Sequence, residues 1–269
     1  VTGSPAPLGD HLHVVVDGLQ ASDGLLVALD YDGTLAPLTA HPEEATIPPA
    51  TQAAISALDA HRHVVVAVVS GRALADLRGR VESTAYAGNH GFELHCDGET
   101  TVAPGAETAR EAVRTACDAL EGRLREVDGA FVERKGVTAT VHYRQAEAAA
   151  IADIERAVRT VSARYETLRV TGGKAVLELR PTLDWDKGDA LTWLAERHIP
   201  AGERWFTLYL GDDRTDEDAF AVLGEGGLGV KVGGDGPTEA THYVADPAAV
   251  CDLLGWLDAY GVAFLDRDE

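Results

Sequence analysis

Short apolar runs that stop abruptly at Gly, Asp or Ser place the tightest limit on what this chain can fold into. Residues 25–29 (LLVAL) run into Asp30, residues 64–69 (VVVAVV) into Ser70-Gly71-Arg72, and residues 206–210 (FTLYL) into Gly211-Asp212-Asp213. Residues 228–232 (LGVKV) and 242–245 (HYVA) are shorter candidates. Runs that are apolar on both faces suit buried parallel strands rather than half-exposed antiparallel ones. Helical patterns lie between them, at 49–60, 73–80, 188–198 and 217–223. Strands alternating with helices predict a doubly wound α/β domain with a mainly parallel sheet.

The middle of the chain follows another rhythm. Residues 108–125 predict a long helix, and 131–134 with 138–143 a hairpin around Lys135-Gly136. Residues 146–165 predict an amphipathic helix, because Ile151, Ile154, Val158 and Val161 recur at spacings of three or four. Residues 168–171 and 175–180 predict a second hairpin across Gly172-Gly173. The order α-β-β-α-β-β describes a smaller α+β domain inserted at 103–182, with core parts at 1–102 and 183–269.

Composition narrows the function classes. Lys plus Arg is 23 and Asp plus Glu 44, so the net charge is 23 − 44 = −21. Such a surface repels phosphate backbones and anionic lipids, which argues against nucleic-acid and membrane partners. The longest aliphatic run, VVVAVV, is far short of the roughly 20 residues that cross a bilayer. The first residues show no basic segment leading into an apolar stretch, and Cys96, Cys117 and Cys251 are odd in number and scattered. A reducing cytoplasm is the expected setting.

Three strand ends carry candidate chemistry. Asp30 and Asp32 sit one residue apart in DYDGT, and crowded carboxylates are usually tolerated for the sake of a cation, although Asp and Gly also make ordinary turns. Asp212 and Asp213 open GDDRTDED, whose later acids also suit a helix start. In a parallel sheet Asp30, Asp32 and Asp212 converge on one rim, a set of oxygens suited to Mg²⁺. Ser70 can donate to a phosphoryl oxygen or simply cap a helix. Lys187 is one of four lysines in a chain that otherwise prefers Arg, and its ammonium can offset several carboxylates plus a phosphate.

LDYDGTL, Ser70, Lys187 and GDDRTDED, in this order, resemble the four motifs of the haloacid dehalogenase-like phosphatases. LDYDGTLAPL, VSGR, ERKGVTATVHYR, GGKAVLELRP and GDDRTDEDAF together resemble the trehalose-6-phosphate phosphatase family, over residues 25–220. DxDGT alone marks only the superfamily; the combination is far more specific.

The resemblance implies that Asp30 attacks phosphorus and that Asp32 protonates the leaving sugar and then activates water. It implies Mg²⁺ on the Asp30 carboxylate, the Asp32 carbonyl and the Asp212 carboxylate. Asp213 and Asp216 would then act on metal-bound waters and on Lys187. Ser70 and Lys187 would grip the phosphoryl group. The inserted domain would be a cap in which Glu133, Lys135 and Glu178 contact the distal glucose. Arg72, Asn89, His90 and Arg144 are further substrate-binding candidates.

The substrate implied is trehalose 6-phosphate, supplied by a synthase on a separate chain. The alternatives are a phosphatase of sucrose, mannosylglycerate or glucosylglycerol phosphate, a phosphomutase, or a silent sugar-phosphate sensor. A sensor should have lost a nucleophile, acid or metal ligand, and Asp30, Asp32, Asp212 and Lys187 are all present.

Overall fold

A computed structural model describes residues 4–39, 42–173, 175–234 and 236–265. Lys174, in the expected second hairpin turn, lies outside them. Two compact units form: one from Val1–Thr101 with Trp185–Glu269, the other from Val102–Asp184. The sequence placed these junctions at 103 and 182.

The first unit is built on a nine-stranded sheet. Its strands are β1 (Ala6–Pro7), β2 (Gly24–Leu29), β3 (Val64–Val69), β4 (Ala85–Gly88), β5 (Glu93–Cys96) and β6 (Glu99–Val102), then β11 (Trp205–Gly211), β12 (Gly227–Val232) and β13 (His242–Val244). Their order is β1-β13-β12-β11-β2-β3-β4-β5-β6. Pairing is parallel from β1 through β4, and β5 turns back antiparallel on β4.

Side chains of the central strands divide by the two-residue strand period. Leu25, Val27, Leu29, Val66, Val68, Leu208 and Leu210 face one core, with α1 (His13–Gln20), α2 (Pro49–Asp59), α3 (Leu74–Arg78) and α8 (Pro247–Trp256) packed on it. Leu26, Ala28, Ala67, Val69 and Tyr209 face the other, covered by α6 (Lys187–His198) and α7 (Glu217–Ala221). Burial on both faces explains why these runs are continuously apolar. The chain leaves β2 towards β3 and β4, and later returns on the other side of β2 as β11. This makes the carboxyl ends of β2 and β11 a topological switch point, where ligands bind in open α/β sheets.

The second unit is an antiparallel sheet of β7 (Phe131–Lys135), β8 (Thr138–His142), β10 (Val176–Pro181) and β9 (Leu168–Gly173), in the order β7-β8-β10-β9. Helices α4 (Arg110–Leu124) and α5 (Ala148–Ser162) bury Val113, Cys117, Leu120, Ile154, Val158 and Val161 against Val141, Leu168, Leu177 and Leu179. The expected α-β-β-α-β-β order is present, with a 3₁₀ turn at Ala106–Ala109 leading into α4. No helix among the described residues is long and apolar enough to cross a membrane.

Candidate active site

The chain packs two acidic strand ends together through glycine. Asp30 continues the β2–β11 ladder, its N–H donating to the Leu210 carbonyl at 2.9 Å. Gly33 then turns the chain at φ +83°, and a Cβ there would lie 2.1 Å from Asp212 Oδ2. Only glycine lets this loop sit against Asp212. On β11, a Cβ at Gly211 would lie 2.2 Å from the Asp216 carboxyl carbon, so that position also needs a missing side chain.

Lys187 is placed by helix chemistry. Asp186 accepts from the Gly188 and Asp189 N–H groups at 2.7 and 3.0 Å, while Asp189 accepts from the Asp186 N–H at 3.1 Å. This capping box makes Lys187 the first residue of α6. The Trp185 indole N–H donates to the Gly91 carbonyl at 2.9 Å and fixes the approach. Lys187 is only 3% exposed. Its Nζ donates to Asp30 Oδ1 at 2.9 Å and Asp216 Oδ1 at 2.8 Å. Asp216 is fully buried and engaged on both oxygens: Tyr209 Oη also donates to Oδ1 at 2.7 Å, and the Asp213 N–H to Oδ2 at 3.0 Å. Asp213 caps the same turn, accepting from the Thr215 N–H and hydroxyl.

Burial sets the electrostatics. It pushes the Asp30 carboxyl well above its ordinary range; Lys187 opposes the shift, while Asp216, Asp212 and Asp213 add to it. Asp212 is pushed up to about 6, by burial first and then by Asp216 and Asp213. Burial disfavours the Lys187 ammonium, but Asp30 and Asp216 outweigh it and hold the group protonated.

The residues after β3 form a second network. Ser70 is buried, and its carbonyl accepts from the His90 N–H at 2.9 Å. Asn89 and His90 adopt left-handed backbone (φ 55° and 57°), and the Asn89 N–H donates to the Arg72 carbonyl. Arg72 grips both Asp32 oxygens at 2.7 Å, reaches Asp76 at 2.8 Å and lies over the Tyr31 ring at 4.9 Å.

The expected sugar-binding residues of the second unit form a group of their own. Glu133 and Glu178 flank Thr140 in one cross-strand row. His142 Nε2 lies 2.8 Å and Lys135 Nζ 3.5 Å from Glu133 Oε2, and Arg180 pairs with Glu178. Burial would raise the Glu133 carboxyl, but His142 and Lys135 outweigh it and hold it below its ordinary value. Arg144 lies beyond the end of β8, in the turn before α5. Helices cover the opposite face of this sheet.

Asp30, Asp212 and Asp216 each offer an oxygen within 4.8 Å of the others, the one such group of potential metal ligands among the described residues. Asp212 Oδ1 is buried with no hydrogen-bond partner. A buried, unpaired carboxylate oxygen beside two more carboxylates fits a hard divalent cation. Asp216 joins Asp30 and Asp212 in this carboxylate group with both of its oxygens already accepting hydrogen bonds. The Asp32 side chain is committed to Arg72, and the Asp32 donor expected from sequence is its backbone carbonyl.

Sequence reasoning passed over Tyr209, Asp76, His142 and Arg180. Tyr209 is hidden inside an apolar strand. His142 and Arg180 carry a signal: Glu133 and Lys135 on β7, Thr140 and His142 on β8, and Glu178 and Arg180 on β10 each repeat polar residues at every second position, and the register puts all three sets on one face of the sheet.

The sequence pattern of the trehalose-phosphatase family matches residues 28–247. A Mycobacterium marinum trehalose-phosphate phosphatase is 38% identical over 264 residues, covering 92% of this chain and 67% of that protein. An uncharacterized glycosyl hydrolase of Mycobacterium tuberculosis is 41% identical over 241 residues, covering 86% of this chain but only 18% of that protein. The solved C-terminal domain of the Candida albicans trehalose-6-phosphate phosphatase superposes with a TM-score of 0.75 at 25% identity, covering 96% of this chain and 99% of that one. The Asp30–Lys187–Asp216 cluster and the inserted unit both fall within the matched stretch, and on this haloacid dehalogenase-like fold the chain belongs to the trehalose-phosphatase family.

Proposed function

We propose that this chain is a Mg²⁺-dependent phosphatase that hydrolyses trehalose 6-phosphate to trehalose and phosphate, the last step of trehalose biosynthesis. The observation that carries the proposal is Asp30 at the switch point, buried and held by Lys187 beside Asp212, in a member of this family.

The Asp30 carboxylate attacks phosphorus as the bond to the sugar oxygen breaks, giving an aspartyl-phosphate. Lys187 keeps one Asp30 oxygen in place, and Asp216 with Tyr209 keeps Lys187 in place. Asp32 delivers a proton to the departing sugar oxygen. It then takes one from the water whose oxygen displaces Asp30 from phosphorus. At rest both Asp32 oxygens accept from Arg72, and the proton that Asp32 delivers is the one it took from the attacking water of the preceding turnover. Ser70 and the Lys187 ammonium hold phosphoryl oxygens. Asp30, Asp212 and the Asp32 carbonyl would hold Mg²⁺, which supplies positive charge to offset the transferring phosphoryl group. Glu133, Lys135 and Glu178 read glucose hydroxyls, and a trehalose-6-phosphate synthase is the metabolic partner the reaction requires.

The test is phosphate release from a panel of sugar phosphates, with Mg²⁺ and with chelator. Trehalose 6-phosphate should be the best substrate and chelation should abolish release. Preference for another sugar phosphate, or full activity after exhaustive chelation, would contradict the proposal.

A further inference from the structure

Four large apolar side chains stand exposed among the described residues, and one of them, Phe131, lies in the second unit. It is 58% exposed, on the outermost strand of the sheet as described. An exposed aromatic on an edge strand invites association and calls for a reason.

The register supplies one. Phe131, Glu133 and Lys135 alternate along β7 and so share a face. Phe131 pairs across the ladder with His142, and the two rings stack at 4.5 Å with 10° between planes. His142 in turn bonds Glu133 through Nε2 at 2.8 Å. The aromatic ring is thus fixed against the same histidine that fixes a carboxylate. Adjacent same-face rows on a strand lie about 7 Å apart. With His142 on one face of the Phe131 ring, the other face turns away from β8 and is the one open to a ligand, and Glu133 stands one row along the same strand face.

We infer that Phe131, backed by His142, is the platform on which a glucose ring of the substrate stacks. The inference rests on the proposed glycosyl-phosphate substrate and adds a specificity-determining residue. A pyranose presents polarised C–H bonds on one face, and an aromatic ring presents a negative face to them. A ring already held by its neighbour loses little freedom on binding. A flat ring is needed, so bulk alone does not substitute for it.

The test compares Phe131→Ala, Phe131→Leu and Phe131→Tyr in the full chain. It reads kcat/KM on trehalose 6-phosphate relative to p-nitrophenyl phosphate, alongside thermal melts. The ratio should fall about tenfold in Phe131→Ala, chiefly through KM, fall similarly in Phe131→Leu, and stay within about twofold in Phe131→Tyr. Saturation-transfer NMR with trehalose, which needs no turnover, should show transfer to sugar C–H protons that Phe131→Ala loses. An unchanged ratio and unchanged transfer in Phe131→Ala would overturn the inference, as would a lowered melting temperature with equal losses on both substrates. If the wild type prefers another glycosyl phosphate, the proposed substrate fails, and the same ratio measured on that sugar decides the role of Phe131.

Discussion

The two units handle charge in opposite ways. In the first, Lys187, Asp30 and Asp216 are nearly sealed from solvent, and Lys187 bonds both carboxylates at 2.8–2.9 Å. On the sheet face of the second, exposure is graded: the Glu133 side chain is 41% exposed, Glu178 18% and Lys135, 3.5 Å from Glu133, 10%. Burial strengthens every pairwise interaction and penalises every unpaired charge, which suits a place where charge must move during a reaction. A face that water still reaches keeps its charges at lower cost than a sealed cluster and can exchange partners with hydroxyls. Damage to the first network should therefore be global, and damage to the second selective.

The largest effect is expected at Asp30. Asp30→Asn keeps the shape but removes the nucleophile, so turnover should fall about 10³-fold or more in a folded protein. Near-wild-type rates from that variant would break the assignment of chemistry to the buried cluster. Next comes Lys187→Ala, which strands two buried carboxylates. Its cost should be about 3–5 kcal/mol of unfolding free energy by urea denaturation at neutral pH. A loss below about 1 kcal/mol would mean that water reaches the cluster, and the contrast between the units would collapse.

Alanine at Glu133, Lys135 or Glu178 should lower kcat/KM on trehalose 6-phosphate roughly ten- to hundredfold, with only a few-fold change on p-nitrophenyl phosphate. Because Glu133 and Lys135 contact each other, the double variant should lose less than the product of the single losses. Equal losses on both substrates would assign these residues to the fold.

The smallest effect concerns pH. Asp212 is raised from 3.8 to about 6 in the folded chain. A raised carboxyl adds stability that is fully present below 3.8 and lost as pH rises through about 6. The metal-free protein should therefore lose stability across that window, and Mg²⁺ should restore it at neutral pH. Apparent Mg²⁺ affinity should fall about tenfold from pH 7 to pH 5, read from thermal melts with and without the ion. Equal Mg²⁺-induced shifts at both values would remove Asp212 from the ion's ligands.

Legibility in the sequence follows the same division. The strands β2, β3, β11 and β12 stand out because both faces are buried, and Asp30, Asp32 and Asp212 stand out because carboxylates follow them directly. Parallel packing then brings these ends together. Strand β4 did not stand out: Ala85–Gly88 (AYAG) has no branched run and takes its place from tertiary pairing with β3. Helix α1 was also missed, its short apolar face resting on Val15 and Leu19. Tyr209 was hidden because a phenol inside an apolar strand looks like packing until its hydroxyl is seen on Asp216. In the second unit Glu133 and Glu178 could be named only through family likeness. Local spacing does not distinguish a sugar-reading strand from a solvated one; the cross-strand register does put them in one row, on either side of Thr140.

The central claim is that the buried carboxylate at the switch point carries the phosphoryl group. The direct measurement is rapid acid quench during turnover of trehalose 6-phosphate, followed by mapping of the phosphorylated peptide. Phosphate on Asp30 is the predicted result; phosphate on Asp32, or on no residue during steady turnover, would contradict it.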